Sequence, residues 1–391
     1  MELNSESNLN IDNDHEKNFE SLNLSENLIK GVYIHGFKKP SKIQVKGIEA
    51  INTAKDCIIQ SQSGTGKTAT YLLGILNRLD EKEKGLAIII TPTRELANQV
   101  YKVSSEICKF TDFKMELCTG GTSIVKNRSN LKKTHLIIGT IGRINHMIQE
   151  NRINLYNVKL VALDEADDLL NDGISKELNN VFDKVPSGTQ ICLISATLSN
   201  NVFDLSKKIM HQPLKILLKK NEIPVDLIKQ FYIDVEMEDL KFEVLLDLYN
   251  LISTSQAIIF CNTIRKVEWL SNNLEEKNFS ITSIHGKMTP IERSDTVKDF
   301  RSGKSRILIT TDLLARGIDI PQVNLVINYD LPPNKETYIH RIGRCGRFGK
   351  KGVAIALVKM QDQGDIKNLN RMKTFYNMNI DELPEDIADY L

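Results

Sequence analysis

The chain has 391 residues, a formal net charge of +1, and 41% hydrophobic and 26% charged residues. That length suits two or three domains, and the near-neutral charge excludes a globally basic polyanion binder, so any polyanion site must be local. The six cysteines form no CxxC pair and read as reduced core residues of an intracellular protein. No apolar run is long enough to cross a bilayer and no signal peptide opens the sequence, so no membrane partner is expected.

Residues 1–20 are polar, acidic and Asn-rich without a hydrophobic period, which predicts a disordered tail. A helix is predicted from SENLIKGVYIH, with Ser25 as its N-cap and Gly36 as its stop. Apolar runs then alternate with helix-like runs: DCIIQ, LAIIIT, MELCT, HLIIGT, KLVALD and QICLISA. Short continuous apolar strands separated by helices predict a parallel sheet covered on both faces. The alternation pauses in the charged, proline-bearing LLKKNEIPVD, read as a linker over 219–227. It resumes with FYIDV, AIIFCN, ITSIH, RILITT, LVINYD and VAIALV. The expected organisation is two α/β domains of one plan, 21–218 and 228–391, repeating architecture rather than sequence.

Ligands of such sheets sit beyond the carboxyl ends of the strands, so the polar residues there carry the chemistry. SQSGTGKT, residues 61–68, joins a strand to a helix start. Backbone N–H groups at a helix start attract anions. Gly64 and Gly66, with Ser63 and Thr65 between and before them, let the loop wrap a phosphate chain. Lys67 then reaches the outer phosphates and the Thr68 hydroxyl ligates magnesium. The strict pattern has a glycine where this chain has Ser61. KLVALD ends in Asp164-Glu165-Ala166-Asp167. Asp164 is placed to hold magnesium, directly or through water, and Glu165 to deprotonate the attacking water. Ser195-Ala196-Thr197 ends another strand, with small hydroxyls able to link the nucleotide site to something else. In the second domain, Arg341, Arg344 and Arg347 recur every third residue among glycines, a planar-donor array suited to phosphate oxygens. If Arg344 and Lys67 touch one nucleotide, ATP draws the two domains together.

These motifs, in this order, resemble the DEAD-box family of ATP-dependent RNA helicases from about residue 20 onward, closest to its minimal-core translation-initiation type and the nuclear relatives of that type. The resemblance implies two tandem RecA-like domains, with ATP and Mg2+ as cofactors. It implies that Phe37 stacks on adenine, Gln44 bonds the adenine edge, and Gly317 and Asp319 complete the nucleotide contacts. Thr93, Arg94, Gly121, Thr140, Arg143, Arg293 and Thr311 become contacts to RNA backbone. Asp167, Ser195, Thr197 and His340 couple hydrolysis to strand separation, and Arg344 and Arg347 act as arginine fingers. The implied protein is a monomer with regulatory partners, cytoplasmic or else nuclear. It either separates short duplexes or remodels RNA–protein complexes in translation initiation, or it is an ATP-gated RNA clamp or a ribosome-biogenesis or exon-junction factor with little unwinding of its own. A DNA translocase leaves the Phe37–Gln44 segment unexplained.

Three departures from the family pattern carry their own expectations. Ile141, in place of proline, predicts a looser turn, and Cys345 a weaker hydrogen bond than Ser or Thr would give. Pro290 replaces a glutamine, yet Thr289-Pro290-Ile291-Glu292 has the form of a capping box with proline at the first helical position. A helix start is predicted there, carrying Arg293.

Overall fold

The structure, a computed structural model, describes residues 17–61, 66–83, 85–120, 131–171, 175–198, 200–217, 228–252, 256–312, 323–345, 352–376 and 378–384. The chain divides into two compact units, Met1–Lys219 and Lys220–Leu391. The expected linker and the first sixteen residues lie outside the described residues.

In the first unit, seven parallel strands alternate with helices. The strands are β1 (Cys57–Gln60), β2 (Leu86–Thr91), β3 (Met115–Cys118), β4 (Leu136–Thr140), β5 (Val158–Leu163), β6 (Gln190–Ser195) and β7 (Leu214–Ile216). The helices are α1 (Glu26–His35), α2 (Lys42–Asn52), α3 (Lys67–Arg78), α4 (Arg94–Ile107), α5 (Ile141–Gln149), α6 (Ala166–Asn171), α7 (Ser175–Phe182) and α8 (Asn200–Ile209). The strands stand in the order β3-β4-β2-β5-β6-β1-β7. Alternate strand residues face two separate cores. Ile59, Ile89, Ile138 and Ile194 pack under α1 to α4, while Ile58, Ile88, Ile137 and Leu193 pack under α5 to α8. Burial on both faces is why the strands read as unbroken apolar runs.

The second unit repeats the plan. Its strands are β8 (Ile228–Asp234), β9 (Ala257–Phe260), β10 (Ile281–Ile284), β11 (Ile307–Thr310), β12 (Leu325–Asn328), β13 (Gly352–Val358) and β14 (Asp381–Glu382). Its helices are α9 (Lys241–Ile252), α10 (Ile264–Glu276), α11 (Pro290–Arg301), α12 (Lys335–Ile342) and α13 (Gln363–Tyr376). The order β10-β11-β9-β12-β13-β8-β14 is that of the first sheet, strand for strand. The expected repetition of architecture is therefore met in topology as well as composition.

Local signals place the element ends. Ser25 caps α1 by accepting from Leu28 N, and Gly36 ends it in the left-handed region at φ 104°. Thr289 accepts from Glu292 N at 3.3 Å, and the Glu292 carboxylate accepts from Thr289 N at 2.6 Å, with Pro290 opening α11. Both halves of the expected capping box are formed.

Two expectations need correction. The tail is not disordered as far as residue 20: Phe19 is fully buried, packs edge-on to Tyr33, and belongs to the core under α1. Nor does Ile141 loosen its turn. It is the first residue of α5 and is buried in the second core of its unit, so side-chain packing fixes the helix start. Two edge strands, β7 and β14, were not anticipated; they are three and two residues long and too short to show a period.

Candidate active site and nucleic-acid interface

The carboxyl ends of the first sheet gather the sequence motifs along one edge. β1 leads to the phosphate loop, β5 to Asp164, and β6, hydrogen-bonded between them, to Ser195-Ala196-Thr197. Ser63, Gly64 and Thr65 lie outside the described residues, but the loop's exit is clear. Gly66 caps α3 at φ 89°, a left-handed conformation that favours glycine. A Cβ there would also stand 2.4 Å from Gln44 Nε2. Lys67 and Thr68 follow as the first two residues of α3.

The Lys67 ammonium donates to Glu165 Oε1 at 3.0 Å. Burial pulls that ammonium down, but the charges of Glu165 and Asp164 outweigh it and hold it above its ordinary value. Asp164 is buried. Its Oδ2 accepts from the Tyr71 hydroxyl at 2.7 Å and its Oδ1 from Glu165 N at 3.0 Å. Burial, then the Glu165 charge, push the Asp164 carboxyl up to about 6. Burial raises the Tyr71 phenol well above its ordinary range, so it remains a donor. Glu165 itself sits at φ 50°, a left-handed conformation in a non-glycine residue, at the turn between β5 and α6. Such strain concentrates at functional sites.

The donor set suits a divalent cation. Three carboxylates, Asp164, Glu165 and Asp167, act on the one Lys67 ammonium. That leaves a local negative surplus beside a helix start that favours anions. Thr68 and Tyr71 stand three residues apart on α3, and the Tyr71 hydroxyl donates to Asp164.

Asp167 reaches the neighbouring strand end instead. Its Oδ2 accepts from Thr197 Oγ1 at 2.6 Å and from Thr197 N at 3.2 Å. Ser195 Oγ in turn donates to Thr197 O at 2.6 Å. The acidic tetrapeptide is thus bonded to Ser195-Ala196-Thr197, joining two stretches the sequence offered separately.

Phe37 is half-buried, with its ring against Phe19 and His35 at centroid distances of 6.5 and 4.8 Å. Gln44 is the third residue of α2. Its Oε1 accepts from Ser41 N at 2.8 Å, completing a capping box, and its Nε2 faces Gly66 O at 3.5 Å.

The other strand ends of this sheet, β3, β4 and β2, carry the remaining motifs. Thr93 caps α4 by accepting from Leu96 N at 3.2 Å, and Arg94 opens the helix, exposed. The Arg94 guanidinium lies over Gly120: a Cβ on that glycine would stand 2.6 Å from Nη2. Thr140 ends β4, and Arg143 stands in the first turn of α5. Gly121 lies outside the described residues, as do Gly317, Asp319 and Arg347.

In the second unit, Arg293 follows β10 on α11 and Thr311 follows β11 directly. These strands hold the places in their sheet that β3 and β4 hold in the first. His340 lies in the last turn of α12, and Arg344 lies just beyond its Gly343 cap. Arg341 does not join an arginine array facing a ligand. It is 1% exposed, donates through Nε and Nη2 to the Asp312 carboxylate at 2.5 and 2.7 Å, and through Nη1 to Asn328 Oδ1 and Asp330 O. Its guanidinium also lies over Phe260, 5.2 Å from the ring centre. A three-residue period cannot separate a buried arginine from exposed ones; the signal lay in the acid and amides at the ends of β11 and β12. Cys345 is buried, and its thiol donates to Ile342 O at 3.1 Å.

Parallel sheets of this order, with a helix-start lysine paired to a strand-end glutamate, define a nucleotide-hydrolysing α/β protein of the phosphate-loop class. Sequence comparison narrows the class. Residues 41–205 match the DEAD/DEAH box helicase family and residues 240–349 the helicase conserved C-terminal domain. The chain is 47% identical to the ATP-dependent RNA helicase eIF4A of Saccharomyces cerevisiae, over 95% of its length and 94% of the relative's. It is 44% identical to the ATP-dependent RNA helicase FAL1 of Kluyveromyces lactis, again over 95% and 94%. Among solved structures, S. cerevisiae Dbp5 bound to RNA and ADP BeF3 superposes with a TM-score of 0.86 at 37% identity, over 96% of this chain and 97% of that one. The chain belongs to the DEAD/DEAH box helicase family and is an ATP-dependent RNA helicase.

Proposed function

We propose that this helicase remodels RNA in translation initiation, in the cytoplasm, gripping RNA by its backbone while it hydrolyses ATP. The observation that carries this is the division of one sheet edge. The ends of β5, β6 and β1 present the acids, the coupling hydroxyls and the phosphate loop, while the adjoining ends of β3, β4 and β2 present Arg94, Thr93, Thr140 and Arg143. In this reading phosphate hydrolysis and a backbone grip adjoin on one sheet edge. The similarity to eIF4A at nearly full length supports the initiation assignment.

In this reading Lys67 neutralises the outer phosphates, and Phe37 and Gln44 hold the base. Thr68 and Asp164 hold magnesium, Asp164 partly through water. When bound, the cation offsets charge on the phosphates and on the developing leaving group. Glu165 accepts the proton of the attacking water. Asp167, bonded to Thr197, carries the state of the acidic turn to the next strand end. Arg94, Arg143, Arg293 and Thr311 contact phosphate and sugar rather than bases, so sequence is not read.

The test is RNA binding with a non-hydrolysable ATP analogue on unrelated single-stranded sequences across a salt series. Arg94→Ala and Arg293→Ala should each weaken binding alike on all sequences and lower the salt slope by about one. Strong preference of the unmodified protein for one sequence would refute the backbone reading.

A further inference from the structure

We propose that Tyr71 is a positioning residue for the metal–nucleotide site: its phenol fixes the Asp164 carboxylate in the orientation that receives the cation. The proposal rests on the reading above that Asp164, with Thr68, holds magnesium.

Tyr71 stands three residues beyond Thr68 on α3, and residues so spaced share a helix face. That face turns toward the end of β5. The phenol is fully buried and donates to Asp164 Oδ2 at 2.7 Å. Asp164 Oδ1 is held independently by Glu165 N at 3.0 Å. The carboxylate is therefore fixed from two directions, by a helix and by its own turn, and cannot rotate without losing a bond. Each carboxylate oxygen accepts more than one hydrogen bond or ligand, so a coordination position remains on each.

Packing does not require the hydroxyl. The Tyr71 ring lies in an apolar core with Ile48, Leu72 and Ile75, where a phenyl ring would fill nearly the same volume. What the hydroxyl adds is one directed donor from α3, which carries Lys67 and Thr68, to the buried anion at the end of β5. Removing it leaves a buried carboxylate oxygen one partner short and frees the side chain to turn. A hydrated cation that reaches Asp164 through water depends on that orientation.

The experiment uses the full chain as Tyr71→Phe, Asp164→Asn and the double variant. The magnesium concentration for half-saturation is measured in RNA-stimulated ATP hydrolysis. It is measured again, without turnover, in binding of a fluorescent non-hydrolysable ATP analogue; thermal unfolding controls for the fold. For Tyr71→Phe we expect the magnesium requirement to rise about tenfold in both assays, the scale of one hydrogen bond to a charged group. The KM for ATP at saturating magnesium should stay within about twofold, and the double variant should be no worse than Asp164→Asn. Wild-type magnesium dependence in Tyr71→Phe overturns the proposal. So does a lowered unfolding temperature without a magnesium shift, which assigns the hydroxyl to stability alone. If Asp164→Asn itself leaves the magnesium requirement unchanged, the metal site is elsewhere and both readings fall together.

Discussion

Gln44 does two jobs that substitution can separate. Its amide oxygen closes the capping box of α2 by accepting from Ser41 N at 2.8 Å, and its amide nitrogen faces Gly66 O across to the phosphate loop. As the proposed reader of adenine, the oxygen would accept from the base's amino group and the nitrogen would donate to its ring nitrogen. Gln44→Ala removes everything at once. It opens the capping box, a cost of about 1 kcal/mol in stability, and leaves the base edge unpaired, a further 1 to 3 kcal/mol or so in binding. Gln44→Glu is more informative, because glutamate serves equally well at this position of a capping box. It keeps the acceptor that distinguishes adenine's amino group from guanine's carbonyl, and it loses the donor, whose target both purines share. The expectation for Gln44→Ala is weaker ATP binding, an ATP-over-GTP preference reduced about tenfold, and a lower unfolding temperature. Gln44→Glu should weaken ATP and GTP together and keep the preference, and it should unfold at a lower temperature too, since its buried carboxylate faces Gly66 O with no proton to donate. Competition of ATP and GTP against a fluorescent ATP analogue, beside thermal unfolding, reads all four quantities. An intact ATP preference in Gln44→Ala would refute the assignment, whatever happened to stability.

Glu165→Gln should bind ATP nearly normally and stop hydrolysing it, because the amide oxygen still accepts from Lys67 but the basic carboxylate is gone; in a competition chase with ATP and magnesium it should release RNA more slowly than Lys67→Ala, and equal release would count against ATP as the source of the grip. The Asp164 carboxyl, raised to about 6, binds its proton more tightly in the folded chain than in the unfolded one, so its contribution favours folding below the ordinary carboxylate range and is lost as pH rises through about 6. Magnesium–nucleotide binding should show the opposite sign, falling by up to about tenfold per pH unit below 6; a titration calorimetry series should show this slope and Asp164→Asn should lack it. Arg341→Met strips the partly buried Asp312 and the buried Asn328 of their shared donor and should cost about 2 to 3 kcal/mol in the second unit. Tryptophan fluorescence in urea reports it directly, since the chain's single tryptophan, Trp269, lies on α10, and an unmoved midpoint would remove Arg341 from the structural role given it here.

What could be read in the sequence was what is decided within a few residues of chain. Strand ends, the left-handed stop at Gly36, and the capping box at Thr289 depend on neighbours one to four positions away, and each stands where the local pattern put it. Pro290 shows how far such reasoning reaches. The residue departs from the family, but its fixed φ and missing N–H suit the first position of a helix, so the change leaves the helix start intact.

What could not be read was pairing between elements distant in sequence. Arg341 looks like its neighbours Arg344 and Arg347 until β11 and β12 bring Asp312 and Asn328 beside it. Tyr71 looks like one more apolar residue of an amphipathic helix until β5 delivers Asp164 to its hydroxyl. Phe19 sits in a polar stretch, and it packs against Tyr33 on α1 and Phe37 just beyond that helix. The same limit applied to Asp167 and Thr197, which lie thirty residues apart and share a 2.6 Å hydrogen bond. In three of these cases a polar group meets its partner through the strand order, in which most sheet neighbours are not consecutive in sequence, while Phe19 meets its partners through α1, before the first strand. That order also explains why function concentrates where it does. In a parallel sheet every strand ends on the same edge, so residues far apart in the chain converge there without any local sequence cost, and buried groups such as Tyr71 and Arg341 hydrogen-bond the side chains that converge, Asp164 in the first unit and Asp312 in the second.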